Sequence, residues 1–234
     1  MSFVGEKWFL WCDGEHRPGL NMAVDDVLMR LSSDHRAPVV RFYGWDRLAV
    51  SIGYMQNHSK TLVEGFALVR RPTGGGVVYH DQDFTYSVAV PTDHGVFRLD
   101  RLRSYSVING AVGAGLRRLG YDVQTAEDMI GRGVDRSAMV CFREPTRYDI
   151  LCEGRKISGS AQRRTAAGLL HQGSIHFDGE LPVERQVLGD ALVAGFEEKL
   201  GVAFAEFANA EGVMVEAERL AAEQYDLAAW NERR

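Results

Sequence analysis

The chain has 234 residues but only three cysteines, no net positive charge and no long apolar run. Cys12, Cys141 and Cys152 form no CxxC pair, which argues against a disulfide scaffold or a structural zinc site and places the chain in a reducing compartment, the cytoplasm. No uncharged stretch approaches the roughly 20 apolar residues of a membrane span. The N-terminus, MSFVGEKWFLWCDGEHRPG, lacks the basic start, apolar centre and small-residue cleavage site of an export signal, so no membrane association is expected. With 27 Lys+Arg against 32 Asp+Glu, the net charge of −5 has the wrong sign for a general nucleic-acid binder, and no nucleic-acid partner is expected. Internal repeats, low-complexity tracts and linkers are absent, which reads as one domain over 1–234 with no accessory C-terminal domain. The Walker loop, GxGxxG, HExxH and GxSxG are missing too, so neither a catalytic metal nor a cofactor is expected.

Hydrophobic residues make up 45% of the chain and charged ones 25%, enough for a full core. Leu20, Val24, Val27, Leu28 and Leu31 fall at helical spacing over 20–31, with acids assigned to the other face. A strand pair is expected over 38–54, broken at Gly44-Trp45-Asp46-Arg47, with further strands at 66–71 and 84–90 around Gly74-Gly75-Gly76. A helix over 104–119 opens with serines able to cap it and stops at Gly120. A hairpin with a Glu-Gly turn is read over 148–157, a strand over 169–177, a helix over 183–200 closed by Gly201, and a final helix over 216–230. Helices and strands alternate without regular βαβ spacing, which makes the fold class α+β.

Three stretches carry candidate chemistry. In RRPTGGGVVYHD (70–81), three glycines expose backbone N–H groups that can line a carbonyl, carboxylate or phosphate; a plain hairpin turn is the alternative. In GRKISGSAQRR (154–164), small residues would let a substrate chain lie against the backbone while Lys156 holds an oxyanion; an exposed lysine beside a tight turn is the alternative. Cys141 is either a buried core thiol or a nucleophile whose pKa is lowered by nearby Arg136, Arg143, Arg147 and Lys156. Between 132 and 164 eight basic residues face four acids, a patch suited to an acidic partner or a solvated face.

NMAVDD (21–26), RFYGW (41–45), SIGYMQN (51–57), RRPTGGGVVYHD (70–81), CFREPTRYDI (141–150), GRKISGSAQ (154–162) and HQGSI (171–175) occur in one order along the chain. In this order they resemble the biotin/lipoate A/B protein ligase superfamily, and within it the LipM-type octanoyltransferases. The resemblance implies a mixed, largely antiparallel sheet flanked by helices, as in a biotin/lipoyl protein ligase catalytic domain. It implies Cys141 as the acyl-accepting nucleophile and Lys156 as the lysine beside the acyl carbonyl. It places Arg71, Gly74, Gly75, Gly76 and His80 in the loop over the acyl chain, with Ser158, Gly159, Ser160 and Ala161 opposite. Gln172 stands where relatives show a histidine, so no duty of that histidine is carried over. The implied donor is octanoyl-acyl carrier protein and the implied acceptor a lysine of an apo lipoyl domain or of the glycine cleavage H protein. The alternatives are an ATP-dependent lipoate-protein ligase, an amidotransferase between lipoyl domains and, last, a non-catalytic lipoyl-domain-binding protein.

Overall fold

Successive side chains of a strand point to opposite faces, so a sheet covered by helices on both sides must bury every residue of its central strands. The computed structural model, which describes residues 3–58, 64–126, 148–177, 179 and 181–233, meets that condition. Strand β1 (Lys7–His16) leads into α1 (Pro18–Arg30) and the short α2 (Ser32–His35), followed by β2 (Val39–Trp45), β3 (Ala49–Ile52), β4 (Ala67–Arg70), β5 (Val78–His80) and β6 (Phe84–Val90). Next come α3 (Gly95–Arg98), α4 (Arg101–Arg118), β7 (Val123–Thr125), β8 (Ile150–Cys152), β9 (Arg155–Arg164) and β10 (Leu169–Ile175). Then α5 (Arg185–Leu200), β11 (Ala203–Glu206), α6 (Ala210–Leu220), a π-helical turn (Ala221–Tyr225) and α7 (Ala228–Asn231) complete the order.

Among the described residues eight strands form one sheet in the order β11-β1-β2-β6-β10-β9-β8-β7, and three form a second, β4-β3-β5. In the larger sheet β1 runs parallel to β11 and β2, and the other five pairings are antiparallel, so the expected mixed, largely antiparallel α+β architecture is found. Every residue of β6 and β10 is buried. On one face Phe42, Tyr86, Val88 and Leu169 pack with Ile108, Val112 and Leu116 of α4 and Leu188, Leu192 and Phe196 of α5. On the other, Tyr43 and Ala89 meet Leu20, Val24 and Leu28 of α1, which is backed by Val213, Ala217 and Leu220 of α6. Helices α4 and α5 touch through their backbones, because a Cβ on Gly115 would stand 2.7 Å from the Ala191 carbonyl oxygen.

Four local expectations change. The runs at 39–45 and 49–52 do not pair with each other, because the chain crosses from the larger sheet to the smaller between them. The acids of α1 are not on a solvent face: Asp25 and Asp26 are buried, because that helix is covered by the sheet on one side and α6 on the other. Helix α4 is capped by Asp100, whose carboxylate accepts from the Arg103 N–H at 2.9 Å, while Ser104 bonds to the Arg101 carbonyl and Gln162 instead. The final helix divides into α6, the π-helical turn and α7, with Leu227 extended between the last two. Arg70 latches that terminal piece to the smaller sheet, donating to the carbonyls of Gly53, Gln56, Trp230 and Asn231. No helix among the described residues is long and apolar enough to cross a membrane.

Candidate active site

The β8–β9 hairpin turns at Glu153-Gly154, whose φ angles of 50° and 75° are the two positive values a tight two-residue turn requires. Two steps further in, Ile150 pairs with Ser158 but Leu151 with Lys156, so β9 carries one extra residue, a β-bulge. Residues three apart on a regular strand face opposite sides. The bulge cancels that parity: a Cβ on Gly159 would lie 2.6 Å from Lys156 Cε and 2.8 Å from its Nζ. Lys156 Nζ meets Asp149 Oδ2 at 2.7 Å, with each side chain 3% exposed, so Lys156 is not an exposed lysine beside a turn.

Asp149 is aimed by the residue before it. Tyr148 has a left-handed φ of 73°, held by Asn109 of α4, whose Nδ2 donates to the Tyr148 carbonyl at 2.9 Å. Tyr148 N–H donates to the Ala126 carbonyl at 2.9 Å, and Ala126 N–H to the Asp149 carbonyl at 2.8 Å. These bonds bring residues 126 and 148 together beside the Lys156–Asp149 pair. Cys141 lies outside the described residues, as do Arg132, Arg136, Arg143 and Arg147.

The four small residues of β9 do not share a face. Gly159 lies under Lys156, and Ala161 is the register partner of Gln172, whose side chain reaches the glycine loop. Ser160 turns to the other side, where it bonds with Asn109, and Ser158 hydrogen-bonds Tyr86 of the apolar cluster. Half of the expected lining, Gly159 and Ala161, is therefore on the Lys156 side.

Arg71 and His80 brace the glycine loop from behind. The Arg71 guanidinium donates to the carbonyls of Gly74 (2.9 Å) and Gly76 (2.8 Å) and to Ser51 Oγ (2.8 Å). Ser51 Oγ is 2.7 Å from His80 Nε2, and His80 Nδ1 is 2.8 Å from Asp83. Burial works against the Asp83 charge, yet His80 and the hydroxyls of Ser174 and Thr85 hold its carboxyl below the ordinary range. The His80 ring also stacks on Trp45 at 3.9 Å. Gly74 and Gly75 remain exposed, Gly75 with φ 90°, and a Cβ on Gly53 would stand 2.2 Å from the Gly75 carbonyl oxygen. The loop is thus a backbone surface seated on Gly53, with its side-chain supports pointing away from the open side.

A buried polar network runs beneath it. Asp25 accepts from Arg41 (2.8 Å) and Ser87 (2.7 Å) on one oxygen and from Tyr43 (2.9 Å) and Gln172 (2.7 Å) on the other. Burial, with the adjacent Asp25 carboxylate, pushes the Tyr43 phenol well above its ordinary value, so it stays a donor. Sequence reasoning missed Asp25, Asp149 and Asn109 as parts of the site. The signal for Asp25 was present, since an acid in NMAVDD and an arginine in RFYGW form a charge pair once both are buried.

The lipoyl protein ligase A/B catalytic domain profile matches residues 17–215. The chain belongs to the lipoyl protein ligase A/B catalytic-domain family. Octanoyltransferase LipM of Bacillus subtilis (strain 168) is 39% identical over 185 residues, covering 74% of this chain and 66% of that protein, just under two thirds of its length. Octanoyltransferase LipM of Halalkalibacterium halodurans is 31% identical over 276 aligned positions, covering 98% of this chain and 100% of that protein. Among solved structures, lipoate-protein ligase A bound with ATP superposes with a TM-score of 0.79 at 27% identity, covering 97% of this chain and 98% of that one.

Within this lipoyl protein ligase A/B catalytic domain, two arginines of the basic stretch at 132–164 bond to the chain itself. Arg163 donates to the Pro72 carbonyl and lies 4.9 Å over the Tyr54 ring, and Arg164 donates to the Phe97 carbonyl. Both arginines thus also make contacts within the chain.

Proposed function

We propose that this protein moves an octanoyl group from acyl carrier protein, through a thioester on Cys141, to a specific lysine of a lipoyl domain or of the glycine cleavage H protein. The observation that carries the reading is the buried Lys156–Asp149 pair, set by the bulge over Gly159 on the same side as Ala161 and Gln172, which reaches the exposed glycine loop. It is supported by likeness to the LipM octanoyltransferases and by the CF-x-x-P-T-x-Y pattern at 141–148.

In the first half-reaction the Cys141 thiolate attacks the thioester carbonyl, the new C–S bond forms, and the carrier thiolate leaves and takes a proton. In the second, the acceptor amine attacks the enzyme thioester, loses a proton and forms the amide as Cys141 departs as thiolate. Lys156 offers its ammonium to the oxyanion of each tetrahedral intermediate. Asp149 fixes that ammonium in place. Thioester to amide runs downhill, so neither step consumes ATP. The acceptor lysine must be neutral, which costs about 4 to 5 kcal/mol at pH 7. Cys141 is seven positions before Tyr148, so covalent geometry holds its Cα within about 25 Å of that of Tyr148.

Intact-protein mass spectrometry after incubation with octanoyl-acyl carrier protein, without ATP, tests the reading. One octanoyl adduct on the wild type, absent from Cys141→Ala and discharged by apo lipoyl domain, is the expected result. An adduct that persists in Cys141→Ala would overturn the nucleophile. The likeness to an ATP-bound lipoate-protein ligase favours one competing reading, activation of a free acid as its adenylate. Acceptor modification only with free octanoate and ATP would establish that alternative.

A further inference from the structure

We propose that Gln172 is a positioning residue that sets the glycine loop for acyl transfer by tying Thr73 to the buried carboxylate of Asp25. This deepens, and rests on, the acyltransferase reading above. The Gln172 amide has one orientation that satisfies both neighbours. A carboxylate only accepts, so Nε2 donates to Asp25 Oδ2 at 2.7 Å, and Oε1 then accepts from Thr73 Oγ1 at 2.7 Å. Thr73 immediately precedes Gly74, and its carbonyl accepts the Tyr54 N–H at 2.8 Å. Gln172 thus fixes the first residue of the loop, while Arg71 fixes Gly74 and Gly76.

The strut stands between two parts of the site. Gln172 is 5% exposed and is paired in register with Ala161, two residues along β9 from the glycine under Lys156. Its anchor cannot drift, because both Asp25 oxygens are already held by Arg41, Ser87 and Tyr43. The position requires a side chain that donates in one direction and accepts in the other. Leucine does neither, and an ionised glutamate presents like charge to Asp25. A loop displaced by about 1 Å is expected to slow transfer about a hundredfold, since near-attack geometry is that sensitive to placement.

Gln172→Glu, Gln172→Leu and Thr73→Val test this against the wild type in two ways. The first is the rate of octanoyl transfer from acyl carrier protein to an apo lipoyl domain between about pH 5.5 and 8.5, a range chosen because a neighbouring carboxylate raises the pKa of the introduced carboxyl. The second is amide hydrogen exchange of residues 73–77 with no substrate present. In Gln172→Glu the protonated carboxyl reproduces both hydrogen bonds and the ionised one does not. The groups around it are Asp25 and Met22 of α1, Arg41 and Tyr43 of β2, Ser87 of β6, and Thr73.

Relative to wild type, Gln172→Glu is expected to be about a hundredfold slow at alkaline pH and to recover as the pH falls. Gln172→Leu and Thr73→Val are expected to lower kcat at every pH and to exchange faster at 73–77 alone. A pH-independent ratio for Gln172→Glu, or unchanged exchange at 73–77 in Thr73→Val, would overturn the strut. A wild type that transfers no octanoyl group would instead remove the acyltransferase reading, and the exchange measurement would still decide whether Gln172 holds the loop.

Discussion

The face of the eight-stranded sheet under α4 and α5 and the face under α1 are supplied by alternate residues of the same strands, yet their chemistry differs. On the first, Phe42, Tyr86, Val88 and Ile175 enter one apolar cluster in which each large side chain contributes roughly 1.5 to 3 kcal/mol by leaving water. On the second, Arg41 and Tyr43 of β2, Ser87 of β6 and Gln172 of β10 converge on Asp25. A buried ionic network adds little net stability over an apolar packing of the same volume, because its desolvation cost offsets its attraction. What it supplies here is fixed geometry under the glycine loop. Stability and placement are thus divided between the two sides of one sheet, one residue apart, and substitutions on each side should separate them.

The largest effect is expected where the polar side meets the proposed chemistry. Lys156→Met removes the ammonium from the oxyanion, a loss on the order of a hundred- to a thousandfold in kcat. It also takes the ammonium away from the buried Asp149 carboxylate, which costs about 3 to 5 kcal/mol of stability. Adding Asp149→Asn should recover most of the stability, read by urea unfolding, and none of the transfer activity. A double variant as unstable as the single one would show that the charge left on Asp149 is not the source of the loss.

One titratable group breaks the apolar side's pattern. His171 lies between the rings of Tyr86 and Tyr105 with Nδ1 2.9 Å from Gln162 Nε2, and burial lowers its pKa from the ordinary 6.5 to about 3. Between those two values the unfolded chain binds the imidazole proton and the native chain does not, so falling pH favours unfolding. The expected loss across the window is on the order of a few kcal/mol. Asp83 adds to it only below its ordinary 3.8, where the unfolded chain takes up a proton that the native carboxylate does not yet bind. Urea unfolding from pH 7 to about pH 4 checks this, and His171→Gln should flatten the slope. An unchanged slope in that variant would assign the acid sensitivity to other groups.

Local signals explain what was legible from sequence. Residues 84–90 form the expected strand, Glu153-Gly154 the expected turn, and Gly201, with φ 74°, the expected helix stop, because each depends on neighbours in the chain. The family was legible in motif order, and it is the one the profile match shows. Tertiary effects were not legible. Nothing local reveals that α1 is covered on both sides, so Asp25 read as a surface acid. Strict alternation would set Lys156 on the side of Ser158, and only the bulge, a property of the pairing with β8, turns it toward Asp149 and Gly159.

The smallest substitution addresses that bulge. Gly159 has no positive φ, so Gly159→Ala carries no backbone strain, and the added Cβ would meet Lys156 Cε at 2.6 Å and Nζ at 2.8 Å. The obstructed atoms are the far end of a flexible side chain, so the variant should fold with a stability change below about 1 kcal/mol. The ammonium must nevertheless move off its position beside Asp149. Transfer should slow about tenfold, with the loss in kcat rather than in KM, because the displaced charge acts on the oxyanion and not on substrate docking. A raised KM at unchanged kcat would show that Gly159 serves the acyl chain and not Lys156. Equal activity would mean that the polar side tolerates movement at its centre, and the contrast between the two faces would then lie in composition alone.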